Sequence, residues 1–249
     1  MPTLRINDAV DLHYDIHGPA HSGGGPVLLV AGTSTSVGHW TPTIIDSLAA
    51  DRQIITYDHR GIGASSSHTE PVSMASLAAD AAALLDKLDT GSVHVIGWSL
   101  GSTVAQELAL ARPDLVASLL LYDTWARGDG LPAFLDSPVF EQLAASILPL
   151  FPQTAAQTRA VAHQWEANLA HDALDRLPGI DRPTTVLVGE QDVLTPPRQA
   201  RVVADAIPNA QLVLVEGPGA SHSLHVERPA EWLHRVRSHL ARCASPLHA

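Results

Sequence analysis

The chain is short of most features that tie a protein to another polymer or to a membrane. It has one cysteine, Cys243, so no disulfide can form within it. A reducing, cytoplasmic setting is therefore expected. Basic residues are scarce: 15 Lys and Arg stand against 26 Asp and Glu, a net charge of −11. Nucleic acid and anionic lipid both require clustered positive charge, so neither is an expected partner. No apolar run approaches the ~20 residues of a membrane span. Residues 1–10 carry Arg5, Asn7 and Asp8 and lack the apolar stretch of a signal peptide. Gly23, Gly24 and Gly25 are not followed by a Lys-Ser/Thr pair, so they are not a phosphate cradle. There is no His-Glu-x-x-His, and no metal or cofactor is expected. The remainder is globular in composition, 45% hydrophobic and 16% charged. At 249 residues a domain buries most of its surface without staples.

What is there alternates. Residues 4–6 and 12–16 read as an N-terminal hairpin. Residues 26–31 and 53–57 are continuous apolar runs, as expected of strands covered on both faces. Helices are expected over 40–50 and over Met74–Leu88, the second capped by Ser73. Strands follow at Val93–Trp98, Val116–Tyr122, Thr184–Gly189 and Gln211–Val215. Helices are expected at Pro197–Ala206 and Pro229–Cys243, with a loop between 216 and 227. Strands alternating with helices make an α/β protein with a mostly parallel sheet of eight strands. Residues 124–178 break the pattern. Pro132, Pro138, Pro149 and Pro152 interrupt short helical segments, and the last of these, 154–177, is the longest. This stretch reads as a helical cap inserted after strand 6 into a core formed by 1–123 and 179–249.

The chemistry centres on Gly97-Trp98-Ser99-Leu100-Gly101. A strand leads into it and a helix leaves it, so Ser99 sits at the apex of a tight strand–helix turn. A serine hydroxyl needs a base, and the base needs an acid to hold its tautomer. In a parallel sheet these groups come from loops at the carboxyl ends of strands. After Thr184–Gly189 comes Asp192; after Gln211–Val215 come His222 and His225. Asp123, which follows Val116–Tyr122, competes with Asp192 for the role of acid. Leu100 N–H, first in the helix, is placed to donate to an oxyanion.

These motifs resemble the α/β-hydrolase fold superfamily, in particular its small capped serine hydrolases: enol-lactonases, esterases and cofactor-free haloperoxidase-like enzymes. The resemblance runs from about Leu12 to the last helix. It includes the loop Asp58-His59-Arg60-Gly61-Ile62-Gly63-Ala64-Ser65, the stretch from Gly189 through Asp192 to Pro196, and the stretch from Gly219 through His222 to Pro229. It implies a Ser99–His222–Asp192 triad and an oxyanion hole formed by Leu100 and Thr33, with Ser34 the next choice after Thr33. Relatives carry His-Gly before the donor where this chain has Ala31-Gly32. Asp58 and Arg60 read as a structural turn pair. Ser34, Trp98, Trp125 and His225 are candidates to line the substrate pocket. The expected activity is hydrolysis of a small to medium ester, lactone or enol-lactone by a monomer or homodimer that binds no partner beyond its small-molecule substrate. Acyl transfer, lyase or cyclase chemistry and ligand-triggered signalling are the alternatives for the same fold.

Overall fold

The computed structural model describes residues 2–20, 24–66, 69–130 and 154–243. The expected prolines of the cap, 132, 138, 149 and 152, lie outside these residues. Eight strands form one sheet: β1 (Thr3–Asn7), β2 (Val10–His17), β3 (Val27–Val30), β4 (Ile54–Tyr57), β5 (Val93–Trp98), β6 (Val116–Tyr122), β7 (Thr184–Gly189) and β8 (Gln211–Val215). Their order is β1-β2-β4-β3-β5-β6-β7-β8. The hairpin β1–β2 joins antiparallel, and every pairing from β4 to β8 is parallel. The helices are α1 (Pro42–Ala49), α2 (Met74–Leu88), α3 (Leu100–Ala111), α4 (Ala155–Ala170), α5 (Pro197–Ala206), α6 (Leu224–Glu227) and α7 (Pro229–Cys243).

Helices cover both faces of the sheet, which is why its strands are apolar without alternation. Leu28 and Val30 of β3 pack with Leu77 and Leu84 of α2, Val104 and Leu108 of α3 and Val203 of α5. Val27 and Leu29, pointing the other way, pack with Ile44 and Leu48 of α1 and Trp232 and Val236 of α7. Crossover connections of this kind leave the carboxyl ends of β3, β5, β6, β7 and β8 on one edge, where the site forms.

Local chemistry sets most element ends. Ser73 and Ser76 cap α2 reciprocally, side chain to backbone, and Asp89 closes it in the left-handed conformation. Three boundaries differ from the sequence reading. Trp40 falls outside α1 because Pro42, lacking an N–H, takes the first helical position. Helix α4 stops at Ala170 instead of running to 177. Its next residues turn extended, with Asp172 bridging Arg127. The expected loop after β8 contains the short helix α6.

Several histidines are buried and held neutral by their surroundings. Burial pulls His59 and His171 down to about 4. His239 falls to about 3, through burial first and then Arg242 and His94. In the unfolded chain each titrates near 6.5. Their contribution to stability is complete above pH 6.5. It is lost as pH falls from there toward 4, because only the unfolded state takes up protons in that window. The melting temperature is expected to drop steadily between pH 7 and pH 4.5 in a scanning calorimeter. Replacing His239 by Gln should flatten that slope.

Candidate active site

Strain is concentrated at the sheet edge. Five non-glycine residues have positive φ among those described, and three of them follow core strands here: Ser34 (60°) in the loop after β3, Ser99 (54°) after β5 and Asp123 (53°) after β6. Such conformations cost on the order of 1–3 kcal/mol each and persist where the surroundings impose them. At Ser99 the imposition is visible. A Cβ on Gly97 would strike the Gly101 carbonyl, and one on Gly101 would strike Val30. Only glycine at both positions lets β5 and α3 meet at so sharp a corner. Ser99 N–H donates to the Tyr122 carbonyl (2.9 Å), and its own carbonyl accepts from Ser102 N–H (2.8 Å). Leu100, just beyond, begins α3 with an N–H that has no acceptor within the helix.

Asp192, 3% exposed, is fixed by its own turn. Oδ1 accepts the N–H groups of Leu194 and Thr195, both at 2.9 Å, and Oδ2 accepts the Thr195 hydroxyl at 2.7 Å. The same Oδ2 lies 2.9 Å from His222 Nδ1. Burial pushes this carboxyl up, but the His222 charge and the hydrogen bonds from His222 and Thr195 outweigh it. The net result is an acid below the usual carboxylate range. The His222 backbone is anchored in turn, its carbonyl accepting from Trp98 Nε1 (2.9 Å) and the Tyr122 hydroxyl (3.2 Å).

Asp123 is fully buried, and its Oδ2 is 3.7 Å from His222 Nδ1. Its carboxyl group faces the Asp192 carboxylate, the Tyr122 hydroxyl and the Gly189 backbone. Burial first, and Asp192 second, push it well above the usual carboxylate range, so it is held as the neutral acid. Asp123, Asp192 and His222 bring one ligand atom each within 4.8 Å of one another, the arrangement a metal ion would need. The Asp192 oxygens, however, are already taken up by Leu194, Thr195 and His222.

A small cavity opens beside Ser99, lined by Thr33, Trp125, Trp165, Asn168, Leu194 and Thr195. The expected pocket residue Trp125 is there. His225 is a correction: it is fully buried, ringed by His39, Trp40, Trp98, Tyr122 and Trp232. Burial, His39 and His222 lower it to about 3. It packs behind His222, away from the cavity. Trp98 is also behind the site, stacked on His39 with centroids 4.5 Å apart. Asp58 and Arg60 are structural, as expected, but not partners of each other. Asp58 accepts Val37 N–H (2.7 Å) and Ala64 N–H (2.8 Å), whereas Arg60 pairs with Asp80.

Two residues were not foreseen. Gln164 and Asn168 lie one turn apart on α4, both 1% exposed. Gln164 Oε1 accepts Ser34 N–H (2.7 Å) and Asn168 Nδ2 donates to the Thr33 hydroxyl (2.9 Å). Helix α4 thus holds the loop that carries Thr33. Two amides at i, i+4 in an otherwise Ala-rich helix were the available signal. Gln164→Ala leaves the part-buried Ser34 N–H without its acceptor, at about 1 kcal/mol. The expected result is a kcat lower by roughly tenfold, with KM changed less and Gln164→Glu recovering most of the loss. Steady-state kinetics of the three proteins checks it.

The family model described as alpha/beta hydrolase fold matches residues 25–170, and a second, described as TAP-like protein, matches residues 149–233. The chain belongs to the alpha/beta hydrolase family. A relative named "Putative carbamate hydrolase RutD", from Azorhizobium caulinodans, is 34% identical to this hydrolase over 87% of the chain and 90% of its own length. The solved enol-lactonase from Burkholderia xenovorans LB400 superposes with a TM-score of 0.80 at 25% identity, covering 96% of this chain and all of its own. A thermophilic esterase from Thermogutta terrifontis superposes at 0.78, also at 25% identity, over 95% of each chain. The protein is a hydrolytic enzyme of this family. Among the described residues, no helix is long and apolar enough to cross a membrane.

Proposed function

We propose that this hydrolase cleaves small esters or lactones through an acyl-enzyme on Ser99, with His222 as base and Asp192 as acid. The observation that carries the reading is the 2.9 Å pairing of His222 Nδ1 with a buried, ionised Asp192. That pairing leaves the other ring nitrogen, Nε2, to take a proton. Ser99, held at the strained turn, faces the same cavity. His222 removes the Ser99 proton as Oγ attacks the substrate carbonyl carbon. The N–H groups of Leu100 and Thr33 receive the oxyanion. The proton then passes from His222 to the leaving alkoxide as the C–O bond breaks. A water molecule, deprotonated by His222, releases the acid and restores Ser99. Ester and lactone substrates are supported by the names of the two structural neighbours.

The test is stoichiometric labelling by a fluorophosphonate probe, with short-chain p-nitrophenyl esters and lactones assayed alongside. Label mapped to Ser99 by peptide mass, together with turnover, supports the reading. A folded protein that takes no label and turns over none of these substrates overturns it.

A further inference from the structure

The cavity on Ser99 is not uniformly apolar. Trp125, Trp165 and Leu194 form greasy walls, but two of the lining side chains carry a buried polar atom with no partner among the described residues: Trp125 Nε1 and Asn168 Oδ1. Their residues are 2% and 1% exposed. The other half of the Asn168 amide is committed to Thr33, which orients Oδ1. One atom is an obligate donor and the other an acceptor. None of the described residues lining the cavity is charged.

Buried polar groups cost free energy unless something satisfies them. A ligand that presents an acceptor to the Trp125 indole and a donor to the Asn168 amide meets both needs, and the described lining residues carry no charge that would pair with a charged one. Given the proposed acyl-enzyme on Ser99, on which this step rests, we infer that the preferred acyl group is short, uncharged and carries its own O–H beside the carbonyl, as in a 2-hydroxyacyl group, because a hydroxyl both accepts and donates. Trp125 and Asn168 are its specificity-determining residues. A plain alkanoyl group of the same size offers neither polar atom a partner. A site built to bond a hydroxyl discriminates strongly against the analogue that lacks it.

Phenyl 2-hydroxyacetate and phenyl propanoate exchange one hydroxyl for one methyl at nearly constant size. Their kcat/KM ratio is measured for the wild type, Asn168→Leu and Trp125→Phe, so that intrinsic ester reactivity cancels between proteins. The Asn168 change also disturbs Thr33, but that acts on both esters alike and drops out of the ratio. The ratio is expected to fall roughly tenfold or more in Asn168→Leu and several-fold in Trp125→Phe, which keeps the ring and loses only the N–H. In a second measurement, Ser99→Ala protein titrated calorimetrically with 2-hydroxyacetamide and propanamide should bind the first more tightly. Unchanged ratios in both variants, with turnover and Ser99 labelling intact, overturn the inference and leave the hydrolase mechanism standing. Absence of both labelling and turnover removes the mechanism and this inference together.

Discussion

Ser99→Ala is expected to lower kcat on the best ester by about 10⁵–10⁶-fold while leaving KM within a few-fold. On the proposed mechanism the hydroxyl is the atom that forms the covalent bond, and no neighbouring group replaces it. The residual rate, on the order of 10³ above water, would come from the oxyanion donors and from binding. The strained backbone adds a second expectation that only a folding measurement reads. At φ 54° alanine bears the same clash as serine, whereas glycine does not. Ser99→Gly should therefore be as inactive as Ser99→Ala yet more stable than it by about 1 kcal/mol, seen as a higher midpoint in urea. Equal midpoints would mean that the turn is not held against a conformational penalty.

The second large effect concerns the two carboxylates at His222. Asp192→Asn keeps the shape but offers His222 an amide, which favours the wrong tautomer. A loss of about 10⁴ in kcat is expected. Asp192→Ala is predicted to lose less, because it unmasks Asp123. Asp123 stays protonated mainly through burial and through the charge of Asp192. With Asp192 gone, its Oδ2, already 3.7 Å from Nδ1, keeps His222 as an ionic neighbour and can ionise against it. Asp123→Asn alone should cost under tenfold. The Asp192→Ala/Asp123→Asn pair should fall about tenfold or more below Asp192→Ala. A double-mutant cycle on kcat measures the coupling. Additive losses would show that Asp123 is packing and nothing else.

Much of this was readable beforehand because it is written in short, local signals. The glycines at 97 and 101, the serine between them, and the acid and histidine loops behind β7 and β8 are each determined by a strand end and a few following residues. The α2 cap at Ser73 and the alternation of strands and helices are local as well. What escaped depends on contacts across long separations. Gln164 and Ser34 are 130 residues apart, and nothing near either announces the other. His225 carries the residue type of a site and the spacing of one, yet five aromatic rings close over it. A tryptophan such as Trp98 looks the same in sequence whether it faces a pocket or supports a histidine backbone from behind. The end of α4 was set by a bridge to Arg127, not by its own residues.

That bridge has a consequence for how this protein can change. Ala173 N–H donates to the Ala126 carbonyl and Gly128 N–H to the His171 carbonyl, both at 2.9 Å, and Arg127 pairs with Asp172 at 3.0 Å. The chain leaving β6 and the chain returning toward β7 are stitched together at a neck before either reaches the sheet. Everything beyond the neck is one closed loop whose ends are already held at a set distance. Doubling the length of such a loop costs only about 0.6 kcal/mol in closure entropy. Residues 131–153 can thus be lengthened at little cost, whereas Gln164 and Asn168 of α4, which hold Ser34 and Thr33, cannot be exchanged without disturbing the loop beside Ser99.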